Sequence, residues 1–444
     1  MKSDISPAEI HSTITRLIDR LVTIEDTTGE YLLRLPDGRV IDTKSWNRTT
    51  TTLTTTTNTT STTTTEVTKA WEWTHGIGLY GIWKYHELTN QPRLLNLLET
   101  WFKGHLDDAV VSGHSGTTKN INTMCVFLTL AHLYEATGNR AYVPWLESWA
   151  EWALHELPRT PYGGMQHVTY VDGHQGQLWD DTLMMTVLPL AKIGVALKRR
   201  RYVEEAKRQF LLHIRYLGDV ATGLFFHGWE FHDPEAEGVG NNDDDDNENE
   251  NNHGISVGHN FARARWARGN SWITIAIPEM LELLETAPRE LGGIPPDDGE
   301  HDAFRLYLID TLSAQCRALA RLQDPESGMW RTLLDVPARE GSYPEASATA
   351  GFAYGILKAR RKRYLPKHPN GNTSSSSRSY DEIAAAAIRA ILSNVTPDGE
   401  LRNVSFGTAM GSTLQFYKEI PLTSMPYGQA MAVMALGEYA RVFY

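Results

Sequence analysis

Two kinds of helical pattern alternate along the chain. Six segments are rich in small and apolar residues, and they begin near residues 74, 120, 181, 270, 346 and 427. After Asp181, for example, apolar residues recur at the i, i+3, i+4, i+7 spacing of one helix face. Between these segments lie amphipathic ones, near residues 7–24, 92–104, 139–156, 199–217, 300–322 and 380–393. Strand-like alternation is scarce, so the pattern predicts an all-α protein.

Six apolar helices that alternate with six amphipathic ones favour an (α/α)6 barrel, in which an inner ring of helices is wrapped by an outer ring. Turns containing glycine recur after outer segments, near residues 163, 223, 328 and 399, and support a repeated hairpin. A large irregular helical protein is the alternative. We predict one domain over residues 1–444, with the N-termini of the inner helices converging on a single pocket.

Three low-complexity segments interrupt this pattern. Residues 49–65 contain 14 Thr in 17 positions, residues 241–252 consist of Asn, Asp and Glu, and residues 366–379 are rich in Pro, Gly, Asn and Ser. Such segments bury too little apolar surface to offset the entropy of ordering them, so we predict mobile loop insertions. The segment 241–252 also carries six acidic residues, which are half of the formal net charge of −12.

Composition and charge exclude several classes of protein. The acidic balance argues against a nucleic-acid partner, which needs a basic face. No apolar run approaches the roughly 20 residues that span a bilayer, so no membrane partner is expected. Cys125 and Cys316 are too few for a disulfide framework.

The first residues lack the apolar core of a secretory signal, which predicts a cytoplasmic protein, although five Asn-x-Ser/Thr sequons leave secretion open. The sequence does not indicate an oligomeric state.

Asp181 is the first candidate for chemistry, because it stands behind Trp179 and Asp180 at the start of an apolar segment. One interpretation is a helix N-cap, the usual role of Asp at such a position. The other is a carboxylic acid whose pKa is raised by aromatic neighbours or by the second carboxylate. The neighbouring candidate residues decide between these interpretations.

The run from Trp266 to Trp272 places Arg268 between two tryptophans at a predicted helix start. Arginine binds carboxylates bidentately, and we expect the flat tryptophan faces to stack on sugar rings. An aromatic cluster without a ligand is the structural alternative. His227 and His167 lie in corresponding loops of two hairpins, which suggests a lined cleft, and neither has the close spacing of a zinc motif.

Trp71 and His75 flank the opening of the first inner segment, where dense tryptophan is also typical of a core. The chain contains no nucleophile elbow, phosphate-binding loop, dinucleotide fingerprint or zinc-protease motif. We therefore expect neither metal nor cofactor. The remaining hypothesis is an acid–base site that acts on an anionic oligosaccharide.

Three motifs in order, Gln177–Met185, Gly223–Trp229 and Trp266–Trp272, make the chain resemble the unsaturated rhamnogalacturonyl hydrolases of glycoside hydrolase family 105 and the related unsaturated glucuronyl hydrolases of family 88. The resemblance implies a six-hairpin (α/α)6 barrel that removes a Δ4,5-unsaturated uronic acid from lyase products. An Asp protonates C4 of the enol ether, water adds at C5, and the resulting hemiketal opens.

The resemblance assigns the role of the acid/base to Asp181. It places His227, Trp266, Arg268 and Trp272 at substrate-contacting positions, with Arg268 neutralising the uronate carboxylate. His75 and His167 match looser motifs.

In one respect the chain departs from this pattern. Some of these enzymes have a second Asp at the start of the second inner helix, where this chain has Asn120 and Asn122. Asn122 is expected to hold the sugar by hydrogen bonds, and Asp180 to replace the missing carboxylate only if the backbone turns it inward. An inverting glycosidase, with carboxylates roughly 6.5–9.5 Å apart, and a non-catalytic uronate-binding barrel are the alternatives.

Overall fold

The structure is a computed structural model that describes residues 5–46, 51–57, 61–67, 70–112, 117–232, 258–295, 300–371 and 378–444. Helices dominate these residues. The inner helices are α2 (Trp73–Thr89), α4 (Val126–Thr137), α6 (Leu188–Ala196), α8 (Ala267–Thr286), α10 (Ala346–Arg361) and α13 (Pro426–Phe443). The outer helices are α1 (Pro7–Leu21), α3 (Pro92–Ser112), α5 (Val143–His155), α7 (Arg200–Leu217), α9 (Ala303–Leu322) and α11 (Tyr380–Asn394). A short helix, α12, spans Leu414–Lys418.

The inner helices form a closed ring. Each contacts the next, from α2 through α4, α6, α8 and α10 to α13, and α13 returns to α2. Each outer helix packs on an inner one, and α1 packs on α13. The predicted (α/α)6 barrel is therefore confirmed. None of the helices described combines the length and the apolar character needed to cross a membrane.

Small residues allow the inner helices to approach one another closely. A Cβ atom on Gly355 in α10 would lie 2.1 Å from the carbonyl oxygen of Thr274 in α8. A Cβ on Gly81 in α2 would lie 2.7 Å from the side chain of Ala430 in α13. These contacts explain why the inner segments contain small residues as well as apolar ones, since backbones that touch leave no room for longer side chains.

Two inner helices begin with irregular turns. A 3-10 turn at Thr123–Cys125 precedes α4, and a π-helical turn at Leu183–Val187 precedes α6. Single π turns inside helices occur frequently at functional sites. Both turns fall at the starts that the sequence predicted, near residues 120 and 181, and both lie at the end of the barrel where the inner helices begin.

The strands are short and lie between the helices. They pair as β1 (Leu32–Arg34) with β2 (Val40–Asp42), β3 (Thr51–Thr57) with β4 (Ser61–Val67), β6 (Gly218–Asp219) with β7 (Leu224–Phe225), and β10 (Trp330–Arg331) with β11 (Pro344–Glu345). A three-stranded antiparallel sheet has the order β5 (Gln177–Trp179), β8 (Gly228–Phe231), β9 (Gly258–His259).

One predicted loop is a hairpin instead. The threonine-rich segment 49–65 was expected to lack regular structure, yet Thr51–Thr57 pairs antiparallel with Ser61–Val67. The β-branched side chain of threonine favours extended backbone, which the compositional argument ignored. The acidic insertion 241–252 lies outside the described residues. The described parts of the insertion 366–379 contain bends and turns only.

Candidate active site

A cavity of about 340 Å³ opens at the end of the ring where the inner helices begin. Its wall includes residues from the openings of α2, α4, α6 and α8, as predicted from the sequence. Two further parts of the wall come from distant segments, residues 30–33 beside β1 and residues 406–409 before α12. Acidic, basic and aromatic side chains line the cavity together, which suits a polar ligand with flat faces.

The pairing of two short strands sets the position of Asp181. Trp179 in β5 lies opposite Gly228 in β8, and the amide of Asp180 donates to the carbonyl of His227 at 3.0 Å. The next side chain, Asp181, therefore lies beside His227, with Nε2 of the histidine 3.2 Å from Oδ2 of the aspartate. Asp181 is in the cavity wall, whereas the His227 side chain is 1% exposed and lies behind it.

The side chain of Tyr417 holds the His227 ring from the side opposite Asp181. The Tyr417 hydroxyl accepts from the amide of Gly411 at 3.0 Å and lies 2.8 Å from Nδ1 of His227. Because this contact engages Nδ1, the other ring nitrogen, Nε2, is the one that faces Asp181.

The two neighbouring carboxyl groups differ in their acidity. Burial alone would raise the pKa of Asp181, but the contact with His227 lowers that pKa below its usual value. Burial, and then the adjacent charge of Asp181, raise the pKa of Asp180 well above its usual value. Asp181 is therefore a carboxylate at neutral pH, whereas the charged form of Asp180 is disfavoured.

The Asp181 side chain does not act as a helix cap. The turn after it begins with the carbonyl oxygen of Asp181 accepting from the amides of Met184 and Met185, both at 3.0 Å, and the cap position, Thr182, makes no side-chain capping bond. The carboxylate is left to face the cavity. This geometry favours the chemical interpretation of Asp181 over the structural one.

Arg268 is held rigidly at the start of α8. Its Nη1 donates to the carbonyl of Ser405 at 2.6 Å and its Nη2 to that of Phe406 at 2.8 Å. The guanidinium also lies over the rings of Trp266 and Tyr427, at 4.4 and 5.0 Å from their centres. Arg268 and Trp266 both line the cavity. The result is a fixed positive charge in a site that is largely shielded from water.

Aromatic faces and an amide complete the wall. His167 stacks on Trp179 with ring centres 4.5 Å apart, and its Nδ1 lies 2.8 Å from the Thr182 hydroxyl. Burial lowers the pKa of His167 to about 3, so this ring is neutral. Asn122 lines the cavity from the second inner helix. The structure thus brings Asn122, His167, Trp179, Asp181, Trp266 and Arg268 together, as expected from the sequence.

Five predicted substrate-binding residues do not line the cavity: Asp180 and His227 are buried beside Asp181, and Trp71, His75 and Trp272 lie in the core. The indole Nε1 of Trp71 donates to the carbonyl of Thr123 at 2.9 Å. His75 has no exposed surface, and its Nε2 lies 3.0 Å from the carbonyl of Ser45. Trp272 is fully buried, with its ring packed edge-on against that of Trp73. The rotation of α2 and of α8 turns His75 and Trp272 into the packing, and Trp71, which precedes α2, is held in the core by its bond to Thr123.

Other wall residues were not among the predicted site residues. Glu72 and Trp73, which begin α2, lie between the two predicted residues and line the cavity in their place. Tyr31 and Phe406 come from opposite ends of the chain, and their rings pack 5.0 Å apart. Glu72 and Trp73 lie only one or two positions from the predicted residues. No local pattern in the sequence, however, identifies Tyr31 and Phe406.

Asp180, Asp181 and His227 each contribute one potential ligand atom to a group whose members lie within 4.8 Å of one another. The 3.2 Å separation between His227 and Asp181 is a hydrogen-bond distance, however, and the backbone of Gly269 packs directly on the Asp180 carboxyl. We interpret the group as a set of side chains that share protons rather than as a metal centre.

Comparisons with known proteins identify the family of the chain. The profile of Glycosyl Hydrolase Family 88 matches residues 45–443. The unsaturated rhamnogalacturonyl hydrolase YesR of Bacillus subtilis is 30% identical over 372 residues, which are 83% of this chain and 89% of that protein. A crystal structure from Salmonella enterica serovar Paratyphi A, described as a possible member of the GH105 family, is 49% identical, with a TM-score of 0.79 over 100% of this chain and 97% of its own. An unsaturated glucuronyl hydrolase from a Bacillus species, 16% identical, shares the fold with a TM-score of 0.59 over 97% of this chain and 94% of its own.

Proposed function

Since the chain belongs to Glycosyl Hydrolase Family 88, we propose that it removes a Δ4,5-unsaturated uronic acid from the non-reducing end of lyase-generated oligosaccharides, with Asp181 as general acid and base. The observation that supports this most directly is the placement of the Asp181 carboxylate beside His227 in the wall of the cavity that also contains Arg268. The family identifies the chain as a hydrolase, which removes the non-catalytic barrel from the alternatives.

In the proposed reaction the C4=C5 double bond is hydrated and the glycosidic carbon is not attacked. Asp181 delivers a proton to C4, positive charge develops at C5, and water adds there while Asp181 takes up a proton. The hemiketal at C5 then opens and releases the neighbouring sugar. Arg268 pairs with the uronate carboxylate, which is attached to C5 and so fixes this carbon near Asp181.

We propose unsaturated rhamnogalacturonan disaccharide as the substrate. The similar protein from Bacillus subtilis is named for this activity, and that name supports the assignment. The stacked pair of Trp179 and His167 provides a flat face for a sugar ring. Asn122 in the cavity wall supplies an amide to bind hydroxyl groups.

The first prediction concerns Asp181. Asp181→Asn keeps the shape of the side chain but cannot donate or accept the reacting proton, so kcat on a rhamnogalacturonan lyase digest should fall by about 10²–10⁴-fold. The measurement is the loss of absorbance from the enol ether. Asp335→Asn is the matched control, because Asp335 pairs with Arg265 at a part-exposed position outside the cavity. Full activity in Asp181→Asn would overturn the assignment.

A conventional inverting glycosidase is the second candidate function. Glu72 places another carboxylate in the cavity wall, and inversion requires an acid and a base on opposite sides of the scissile bond. The two functions are distinguished by substrate. Turnover of a saturated uronoside with no change in the absorbance of the unsaturated digest would favour inversion, and the opposite result would favour hydration.

A further inference from the structure

The carboxyl group of Asp180 is buried without a conventional partner. The residue has no exposed surface, and neither side-chain oxygen accepts a hydrogen bond from any donor among the described residues. Gly269, at the start of α8, covers it so closely that a Cβ there would lie 2.2 Å from one oxygen and 2.5 Å from the other. A buried carboxylate normally has a cation or several well-aligned N–H donors beside it. Asp180 has only its own amide and that of Asp181 nearby, and neither makes a hydrogen bond of good geometry to the carboxyl.

The groups that face Asp180 explain this arrangement. From its own segment comes the Asp181 carboxylate, with an oxygen within 4.8 Å of an oxygen of Asp180. From the neighbouring strand comes His227, whose Nε2 is directed to Asp181. From α12 comes the Tyr417 hydroxyl, which is bonded to His227. The one cation on α8, Arg268, is turned away to the carbonyls of Ser405 and Phe406.

Two carboxyl groups in contact, with no cation between them, do not both ionise. The Asp180 carboxyl therefore carries a proton of its own, and it donates a hydrogen bond to Asp181 through this proton. We propose that Asp180 is a positioning residue that remains a neutral acid and stores the proton which Asp181 delivers to substrate. This inference rests on the proposed function of Asp181 as the acid and base of the reaction.

The proton balance is simple. In the resting pair, Asp180 carries one proton and Asp181 is a carboxylate. The Asp180 proton moves to Asp181, and Asp181 transfers a proton to C4, so the new C4–H bond forms as the double bond is consumed. Water then forms the C5–O bond and gives one of its protons back to the pair. The pair ends with one proton, as it began, and no further reactant is needed.

The first test does not depend on turnover. We expect ¹³C NMR of the full-length protein, labelled at the aspartate side-chain carboxyl, to show a protonated carboxyl signal at pH 7. This signal should vanish in Asp180→Asn and persist in Asp324→Asn. Asp324 is the matched control because bonds from Ser327 and the charge of Arg331 lower its pKa, so its signal is that of an ionised group. A wild-type spectrum without a protonated signal, or one that keeps it in Asp180→Asn, would overturn the inference.

The second test is the pH profile of kcat. With one proton shared by the pair, the wild type should lose activity at high pH, as that proton dissociates. Asp180→Asn preserves shape but stores no proton, so kcat at pH 7 should fall by at least about tenfold and recover as the pH is lowered. KM should stay within about twofold, because Asp180 does not line the cavity.

The two tests separate the two proposals. If no unsaturated substrate is turned over but the protonated signal is assigned to Asp180, the proposed function fails and the proton-holding pair stands. If the wild type is active and Asp180→Asn retains its kcat and pH profile, Asp180 is merely structural and this inference fails, while the proposed function survives. A melting temperature unchanged in Asp180→Asn excludes misfolding as the cause of a lost kcat.

Discussion

Asp180 and Asp181 are neighbours with identical side chains, yet their surroundings move the two acidities in opposite directions. The opposite pKa shifts arise from the groups that contact each carboxyl. Asp181 faces His227 and the cavity, so its charged form is stabilised. Asp180 faces Gly269 and its own neighbour, so its charged form is penalised. Pairs of titratable groups whose environments separate their pKa values are typical of acid–base sites.

A prediction at this scale concerns His227→Gln. His227 lowers the pKa of Asp181 against the effect of burial, so removing the ring should raise that pKa. This change also sets the direction in which the pH profile of kcat/KM should move. Because Asp181 then takes up its proton at higher pH, the acidic limb of kcat/KM should move to higher pH, by at least about one unit.

The measurement is kcat/KM against pH on the unsaturated digest. His213→Gln is the matched control, since His213 is a fully buried histidine bonded to the carbonyl of Gln209 and outside the cavity wall. An acidic limb that stays in place, or moves to lower pH, in His227→Gln would contradict the prediction.

At the scale of elements, the site depends on how helices begin rather than on their length. The short strand β5 and the π turn before α6 position Asp181, and the first turn of α8 supplies both Arg268 and the glycine that covers Asp180. Sequence patterns located these starts to within a few residues. They did not determine which side chain of each start faces the cavity, because one residue of helix rotates a side chain by about 100°.

Gly269→Ala tests the fit between α8 and the β5 segment. The added methyl would overlap the Asp180 carboxyl, so we expect a loss of about 1–3 kcal/mol in the free energy of unfolding, together with lower kcat. Urea denaturation and the enol-ether assay measure the two effects. Gly104→Ala is the matched control, because a Cβ on that α3 glycine meets nothing within 4 Å. Equal stability of the two variants would show that α8 and the β5 segment are not in this contact.

At the scale of the whole molecule, the ring is closed by contacts between the two ends of the described chain. The first helix, α1, packs on the last, α13, which also contacts α2 and α10. Gln429 in α13 adds polar links, donating to the carbonyls of Leu17 at 3.2 Å and Gly399 at 2.6 Å. Closure of this kind joins the whole circumference into one packed core, so the cavity is supported from all sides.

Leu17→Ala tests this closure. Leu17 is fully buried in α1, so its truncation should lower the free energy of unfolding by about 2–5 kcal/mol. Far-ultraviolet circular dichroism and tryptophan fluorescence should still report one coincident transition, because the ring unfolds as a unit. Leu211→Ala, at a 42% exposed position, is the control. Two separated transitions in Leu17→Ala would show that α1 unfolds independently of the ring.

The sequence alone determined the six inner and six outer helices, their order, the closed ring and the family, but not the short helix α12. Helical periodicity and the contrast between inner and outer segments are local properties, so they are readable without coordinates. The resemblance carried by the three motifs also identified Asp181 and Arg268 as candidates, since hydration of an unsaturated uronate requires an acid and its carboxylate requires a cation.

Tertiary structure alone decided which residues share the cavity. The cavity wall contains Glu72 and Trp73, whereas three residues predicted to line it are buried in the core, Trp71, His75 and Trp272. Tyr31 and Phe406 meet across most of the chain. The local sequence pattern does not predict such long-range contacts, because they depend on helix rotation and on the closure of the ring. The same holds for the raised pKa of Asp180, which depends on the burial of that carboxyl beneath Gly269 and beside Asp181.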